Sequence, residues 1–132
     1  MNQSTSRIRV RYAETDGMGV VYYGNYLTWF EVGRTDLLRQ LGRSYREIEE
    51  SERIHLPVVE AHCRYHKPAR YDDLVDILTR ASRPTRASLQ FDYELSRAED
   101  GVLLASGSTL HVAVDRQGKP CRLPRELRGL FE

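Results

Sequence analysis

The chain has 132 residues, 40% of them hydrophobic and 30% charged, with a formal net charge of +1. That length suits one domain spanning residues 1–132 with a moderate core, and the near-neutral balance argues against nucleic acid or an anionic membrane as the main partner. Two cysteines, Cys63 and Cys121, are too few for a disulfide framework, the N-terminal stretch has no apolar signal region, and no apolar run is long enough to span a bilayer, which together predict a reduced cytoplasmic protein.

Residues 1–6 are polar and are expected to fray. From Arg7 to Tyr12 the pattern alternates strictly. Ile8, Val10 and Tyr12 fall on one face and Arg7, Arg9 and Arg11 on the other, which predicts a half-buried strand with a solvated arginine face. Next comes ETDGMGVVYYGN, residues 14–25, a glycine-bearing loop that turns apolar and aromatic with Asp16 at its mouth. Asn25 is placed to cap a helix over Tyr26–Leu41 that Gly42 stops. Tyr26, Phe30, Gly33, Leu37 and Leu41 recur at helical spacing, Leu27 and Leu38 widen the stripe, and Arg34 interrupts its edge. A glycine inside a helix costs about 1 kcal/mol against alanine. Gly33 therefore points to close approach of the helix to something flat, such as a sheet. Ser44 caps a shorter helix over Tyr45–Glu50.

From Leu56 onward the period changes to two. Val59, Ala61, Cys63 and Tyr65 share one face of a strand that Pro68 closes, and Leu74–Arg80 forms another strand, entered through the Tyr71-Asp72-Asp73 turn. Ala87, Leu89, Phe91, Tyr93 and Leu95 alternate cleanly with polar residues, and Asp100-Gly101 signals a hairpin into a long strand, Val102–Val114. Gly107 within that strand marks a bulge or a close backbone approach, and Pro124–Phe131 is read as a short closing helix. One strand, a long helix, a short helix and four strands in a meander make an α+β layout: an antiparallel sheet of about five strands wrapped around one long central helix, with edges that dimerisation could pair.

The loop carries the chemistry. Gly17 and Gly19 permit close approach of a ligand, and apolar neighbours partly desolvate Asp16, which makes its charged form more reactive as a base. The helix start just downstream offers free N–H groups and the positive end of a dipole. The N–H groups of Tyr23 and Gly24 are placed to polarise a carbonyl and hold a developing oxyanion, while Asp16 directs a water or attacks the carbonyl itself. On local chemistry alone the favoured reading of Asp16 is a turn residue in TDG, where aspartate makes local hydrogen bonds. His62, Cys63 and His66 carry metal-ligand chemistry, but the i, i+4 spacing serves a helix, and here it falls in a strand that separates the histidines. Gly107-Ser-Thr lacks a nucleophile elbow, and the chain contains no P-loop or dinucleotide fingerprint.

RVRYAETDGMGVVYYGNYLTWFEVGRTDLLRQLG, residues 9–42, resembles the N-terminal signature of hotdog-fold acyl-CoA thioesterases of the 4-hydroxybenzoyl-CoA thioesterase-like branch. The TD-x-x-G-V-V-x-x-x-N-Y pattern carries most of the resemblance, which continues through LPVVEAHCRYHKPARYDDLVDI, SLQFDYEL and the Asp100-Gly101 hairpin. It implies a hotdog fold, hydrolysis of an acyl-CoA to free acid and coenzyme A, Asp16 as the catalytic acid, and the thioester carbonyl at Tyr23 and Gly24. It also implies no metal or other cofactor, and homodimers or homotetramers with sites at subunit interfaces. Many bacterial members have a histidine where Tyr22 and Tyr23 stand. There Tyr22 or Tyr23 could donate a hydrogen bond through its hydroxyl, or, as the favoured reading, pack at the dimer interface or pocket wall. Glu60 matches an acid common near the pocket in relatives. Arg64, Lys67, Arg70, Arg83 and Arg86 are the available cations for coenzyme A phosphates, and Arg83 and Arg86 flank a turn at Pro84-Thr85 where relatives often bind the nucleotide. An acyl carrier protein thioester is the less favoured substrate. The alternative is a non-catalytic acyl-CoA-binding or sensing module on the same fold.

Overall fold

The computed structural model describes residues 2–40 and 42–131. Its elements in order are β1 (Gln3–Arg9), a 3-10 turn (Tyr12–Glu14), α1 (Asn25–Arg39), α2 (Tyr45–Glu52), β2 (Val58–Tyr65), β3 (Leu74–Ser82), β4 (Ser88–Arg97), β5 (Leu103–Val112) and α3 (Arg125–Arg128). The strands form one antiparallel sheet in the order β1-β3-β4-β5-β2. Leu89, Phe91, Tyr93 and Leu95 of β4 and Val75, Ile77, Thr79 and Ala81 of β3 bury one face of this sheet. Tyr26, Trp29, Phe30, Gly33, Leu37 and Leu38 of α1 are also buried. Phe30 stacks flat on Tyr93, with ring centroids 4.2 Å apart. This is the α+β hotdog arrangement that the resemblance implied, with α1 as the long helix against the sheet. Among the described residues no helix is long and apolar enough to cross a membrane.

Two glycines set how closely the helix lies. A Cβ on Gly33 would stand 2.2 Å from Thr79 Oγ1, and one on Gly107 would stand 2.2 Å from the His62 carbonyl and 2.7 Å from the Phe30 ring. Neither position has room for a side chain, which explains a glycine inside a helix and another inside a strand.

The tertiary structure corrects several expectations. Gln3–Ser6 do not fray: they pair with Arg80–Ile77 as part of β1, which ends at Arg9 and leaves Tyr12 exposed in the 3-10 turn. The N-cap of α1 is Gly24, because the Asn25 side chain is spent on the Glu14 carbonyl at 2.8 Å. Helix α1 ends at Arg39, and the expected last helical residue, Leu41, lies outside the described residues. Leu27 faces solvent rather than the core. Only β3, β4 and β5 form a meander: β2 crosses to the far edge and pairs with β5. As an edge strand touched by α1 chiefly at Tyr65, where the Tyr26 ring packs at 5.0 Å, β2 is exposed on both faces along nearly its whole length.

A hydrogen-bonded chain runs through the core. His111 is buried, and its Nδ1 lies 2.9 Å from the Leu56 carbonyl, which can only accept, so Nδ1 carries the proton. Desolvation lowers the His111 pKa from 6.5, opposed by the Leu56 bond and reinforced by the charge of Arg34, which keeps the ring neutral. Nε2 therefore accepts from Thr109 Oγ1 at 2.9 Å, Tyr93 Oη donates to Thr109 Oγ1 at 2.6 Å, and Arg34 Nη1 donates to Tyr93 Oη at 3.5 Å.

Candidate active site

Asp16 organises its own loop. Its N–H donates to the Val20 carbonyl at 2.8 Å, and its Oδ1 accepts from the N–H groups of Met18 at 2.8 Å and Val20 at 3.4 Å. Gly19 closes the turn at φ +81°, a conformation that favours glycine. Among the described residues Oδ2 of Asp16 receives no protein donor. Asp16 lines an open cleft of about 300 Å³ together with Val20, Tyr23, Tyr26, Tyr65 and Lys67. A smaller cavity of about 100 Å³, bounded by Arg34, Leu38, Leu56, Phe91 and His111, lies apart from it.

The first turn of α1 stands beside this cleft. Asn25 N–H donates to the Tyr22 carbonyl at 3.0 Å, and Tyr26 N–H to the Tyr23 carbonyl at 3.3 Å. Among the described residues the N–H groups of Tyr23 and Gly24 donate to nothing. The Gly24 N–H is one of the donors that a helix start leaves over, the Tyr23 N–H lies just before it, and Gly24 brings no side chain to cap either.

Glu14 has a different part from Asp16. It is buried, and its carboxylate accepts from Arg11 N–H at 2.7 Å and from Trp29 Nε1 at 3.0 Å. Its carbonyl accepts from Tyr22 N–H at 2.9 Å and from Asn25 Nδ2 at 2.8 Å. One residue thus ties the base of the Asp16 loop to helix α1. Tyr65, at the end of β2, donates its hydroxyl to the Tyr23 carbonyl at 3.0 Å. Desolvation, then its bond and charge coupling to Cys63 and the neighbouring tyrosines, pushes that hydroxyl up to about 12, so it remains a donor across the physiological range. Neither link was visible in the sequence, because each joins residues that become neighbours only when β2 and the loop fold against α1.

Asp16 and Tyr23 line the same cleft, and Gly24 follows Tyr23 in the chain without lining it. Of the candidate cations the structure brings Lys67 to the cleft, and it leaves Tyr22, Glu60, Arg83 and Arg86 outside the cleft lining within one protomer. Tyr22 is half exposed, its ring packed on Tyr23 at 4.7 Å. Glu60 sits on the exposed edge strand with His62 Nε2 3.6 Å away. Arg83 and Arg86 lie in the β3–β4 turn, at the end of the sheet where Ser88 pairs with Val112, whereas the cleft is at the Tyr65–Ala105 end. Arg83 there stands 5.7 Å over the Phe131 ring. His62 and His66 part company as well: His66 Nε2 meets Ser106 Oγ at 2.9 Å. Among the described residues no group of three or more metal-ligating side chains converges.

Known proteins share this sequence pattern and fold. Over 126 residues the chain is 34% identical to the acyl-CoA thioester hydrolase YbgC of Escherichia coli, spanning 95% of this chain and 92% of that protein. The structure of DHNA-CoA thioesterase from Staphylococcus aureus matches with a TM-score of 0.89 at 37% identity, covering 99% of this chain and 89% of that one. Slr0204, a 1,4-dihydroxy-2-naphthoyl-CoA thioesterase from Synechocystis, matches with a TM-score of 0.91 at 28% identity, over 98% and 95% of the two chains. Fold and kinship together make this a hotdog-fold thioester hydrolase. The chain belongs to the thioesterase-like superfamily, whose profile matches residues 10–131.

Proposed function

We propose that the chain, working as one hotdog domain, hydrolyses an acyl-CoA to a free acid and coenzyme A. The observation that carries this reading is the pairing, at one cleft, of a carboxylate oxygen without a protein donor and two unused N–H groups at a helix start. The N–H groups of Tyr23 and Gly24 polarise the thioester carbonyl. As a nucleophile adds to the carbonyl carbon, negative charge gathers on the oxygen, and these donors together with the helix dipole stabilise it. Collapse expels the coenzyme A thiolate, which takes up a proton. Asp16 acts either as general base, drawing a proton from the attacking water, or as nucleophile, forming an anhydride that water then opens. The chemistry as drawn uses no cofactor.

The aromatic walls at Tyr23, Tyr26 and Tyr65 suit an aroyl or a short-to-medium fatty acyl group. The names of the naphthoyl-CoA relatives favour the aroyl choice. An acyl carrier protein thioester is the second candidate substrate. The exposed β2 edge supports a homodimer, two of which could pair as a homotetramer. Antiparallel pairing of two β2 strands sets the Tyr65 end of one protomer against the Val58 end of its partner. It also carries the partner's Arg83–Arg86 turn toward the cleft. Glu60 and Tyr22 then border the site across the interface, and Arg83 and Arg86 meet the phosphates of coenzyme A.

Thiol release from a panel of aromatic, short and long acyl-CoAs, for wild type beside Asp16→Asn, tests this. Hydrolysis by wild type, lost in a folded mutant, is the expected result. Binding without thiol release across the panel overturns the enzyme reading in favour of a binding module. A mutant as active as wild type overturns the role of Asp16.

A further inference from the structure

We propose that Tyr65 is a positioning residue that sets the orientation of the Tyr23–Gly24 peptide, and through it the electrophilic half of the site. The inference rests on the reading above, in which the Gly24 N–H polarises the thioester carbonyl. The Tyr23 carbonyl and the Gly24 N–H belong to one planar unit, and it is trans, since the structure holds no cis peptide among the described residues. In a trans peptide the N–H points opposite to the C=O. Whatever fixes the direction of the Tyr23 carbonyl therefore fixes the direction of the Gly24 N–H.

That carbonyl has two donors. Tyr26 N–H reaches it along the helix at 3.3 Å, and Tyr65 Oη reaches it from the sheet at 3.0 Å. The helical bond alone belongs to the fraying end of α1, where Gly24 adds backbone freedom and no cap. The bond from Tyr65 comes from a strand held in register with β5, Tyr65 lying opposite Ala105. It anchors the turn to the sheet. The Tyr65 ring is itself braced edge-on by Tyr26 at 5.0 Å and Tyr23 at 6.3 Å. A second effect adds to orientation. A hydrogen bond accepted by a peptide oxygen polarises the unit and strengthens its N–H as a donor, by about a tenth to a third per bond. The high affinity of the Tyr65 hydroxyl for its proton keeps it a donor through the working pH range.

The test is Tyr65→Phe, which removes one oxygen from a side chain that is 46% exposed and so leaves folding intact. Loss of a single neutral hydrogen bond that acts on the transition state lowers kcat by about 3- to 12-fold. KM stays near wild type, as does the Kd of a non-hydrolysable thioether analogue of the best substrate. A spectroscopic measurement separates orientation from packing. In an Asp16→Asn background, the carbonyl stretch of the bound acyl-CoA is recorded with and without Tyr65→Phe. The shift to lower frequency that binding produces is expected to shrink when the hydroxyl is gone. A kcat equal to wild type, a loss confined to KM, or an unchanged carbonyl stretch each overturns the proposal while leaving the role of Asp16 standing. If wild type cleaves no thioester, the underlying reading fails and this inference fails with it.

Discussion

Substituting Gly33→Ala tests how the helix is seated on the sheet. The added methyl would lie 2.2 Å from Thr79 Oγ1 and 2.8 Å from Ile77 Cγ2. Ordinary contact needs about 3.5 Å, so α1 would have to retreat by roughly 1 Å. Phe30 sits one turn earlier, stacked on Tyr93, and resists that retreat. Overpacking of this kind costs about 1–3 kcal/mol, and two contacts below 3.0 Å place it toward the upper end. The better helix propensity of alanine returns about 1 kcal/mol. The net expectation is a loss of about 1–2 kcal/mol, or roughly 4–8 °C in Tm for a domain of this size. Urea unfolding at fixed protein concentration measures it, because the proposed dimer would make apparent stability depend on concentration. Thr79 offers a built-in control: its hydroxyl is buried and unpartnered, so Thr79→Ala in the Gly33→Ala background should recover most of the loss. A Gly33→Ala protein as stable as wild type would refute the argument that helix–sheet contact, rather than chance, demands glycine here.

Other expectations follow from the same contacts. Glu14→Gln leaves one acceptor oxygen for two buried donors, Arg11 N–H and Trp29 Nε1, and turns an amide N–H on the other; a loss of about 1–3 kcal/mol is expected in urea unfolding, and Trp29→Phe in that background should add little further cost. His111 has its pKa lowered in the folded state, so the unfolded chain binds more protons between that lowered value and 6.5. Stability should therefore fall as pH drops below about 6.5, and Tm in His111→Gln should depend less on pH over that range. Val59→Asp places a charge on an exposed edge-strand position of the proposed β2-paired dimer; light scattering of wild type beside the variant should show dimer giving way to monomer, whereas equal masses for the two would exclude β2 as the interface.

The sequence carried the elements that local chemistry governs. Period-two alternation placed β4 because every second residue meets a core, and the Asp100-Gly101 hairpin was legible because Gly101 takes φ +73°. Ser44 announced α2 through a capping box that closes within four residues. Gly33 announced close contact, though not with what. Asp16 and Tyr23 share one cleft because a loop and the helix after it are contiguous in the chain. Long-range pairing decided the rest. Polar Gln3–Ser6 form strand because β3 offers a ladder to pair with, and no property of those residues alone says so. Val59, Ala61 and Tyr65 alternate like a buried strand yet lie exposed, since β2 crosses to the edge beside β5, where one protomer covers little of it. Glu14 and Tyr65 became supports of the site only in three dimensions: a hydrogen bond from Trp29 or to the Tyr23 carbonyl depends on where the folded chain returns, and sequence spacing does not encode that.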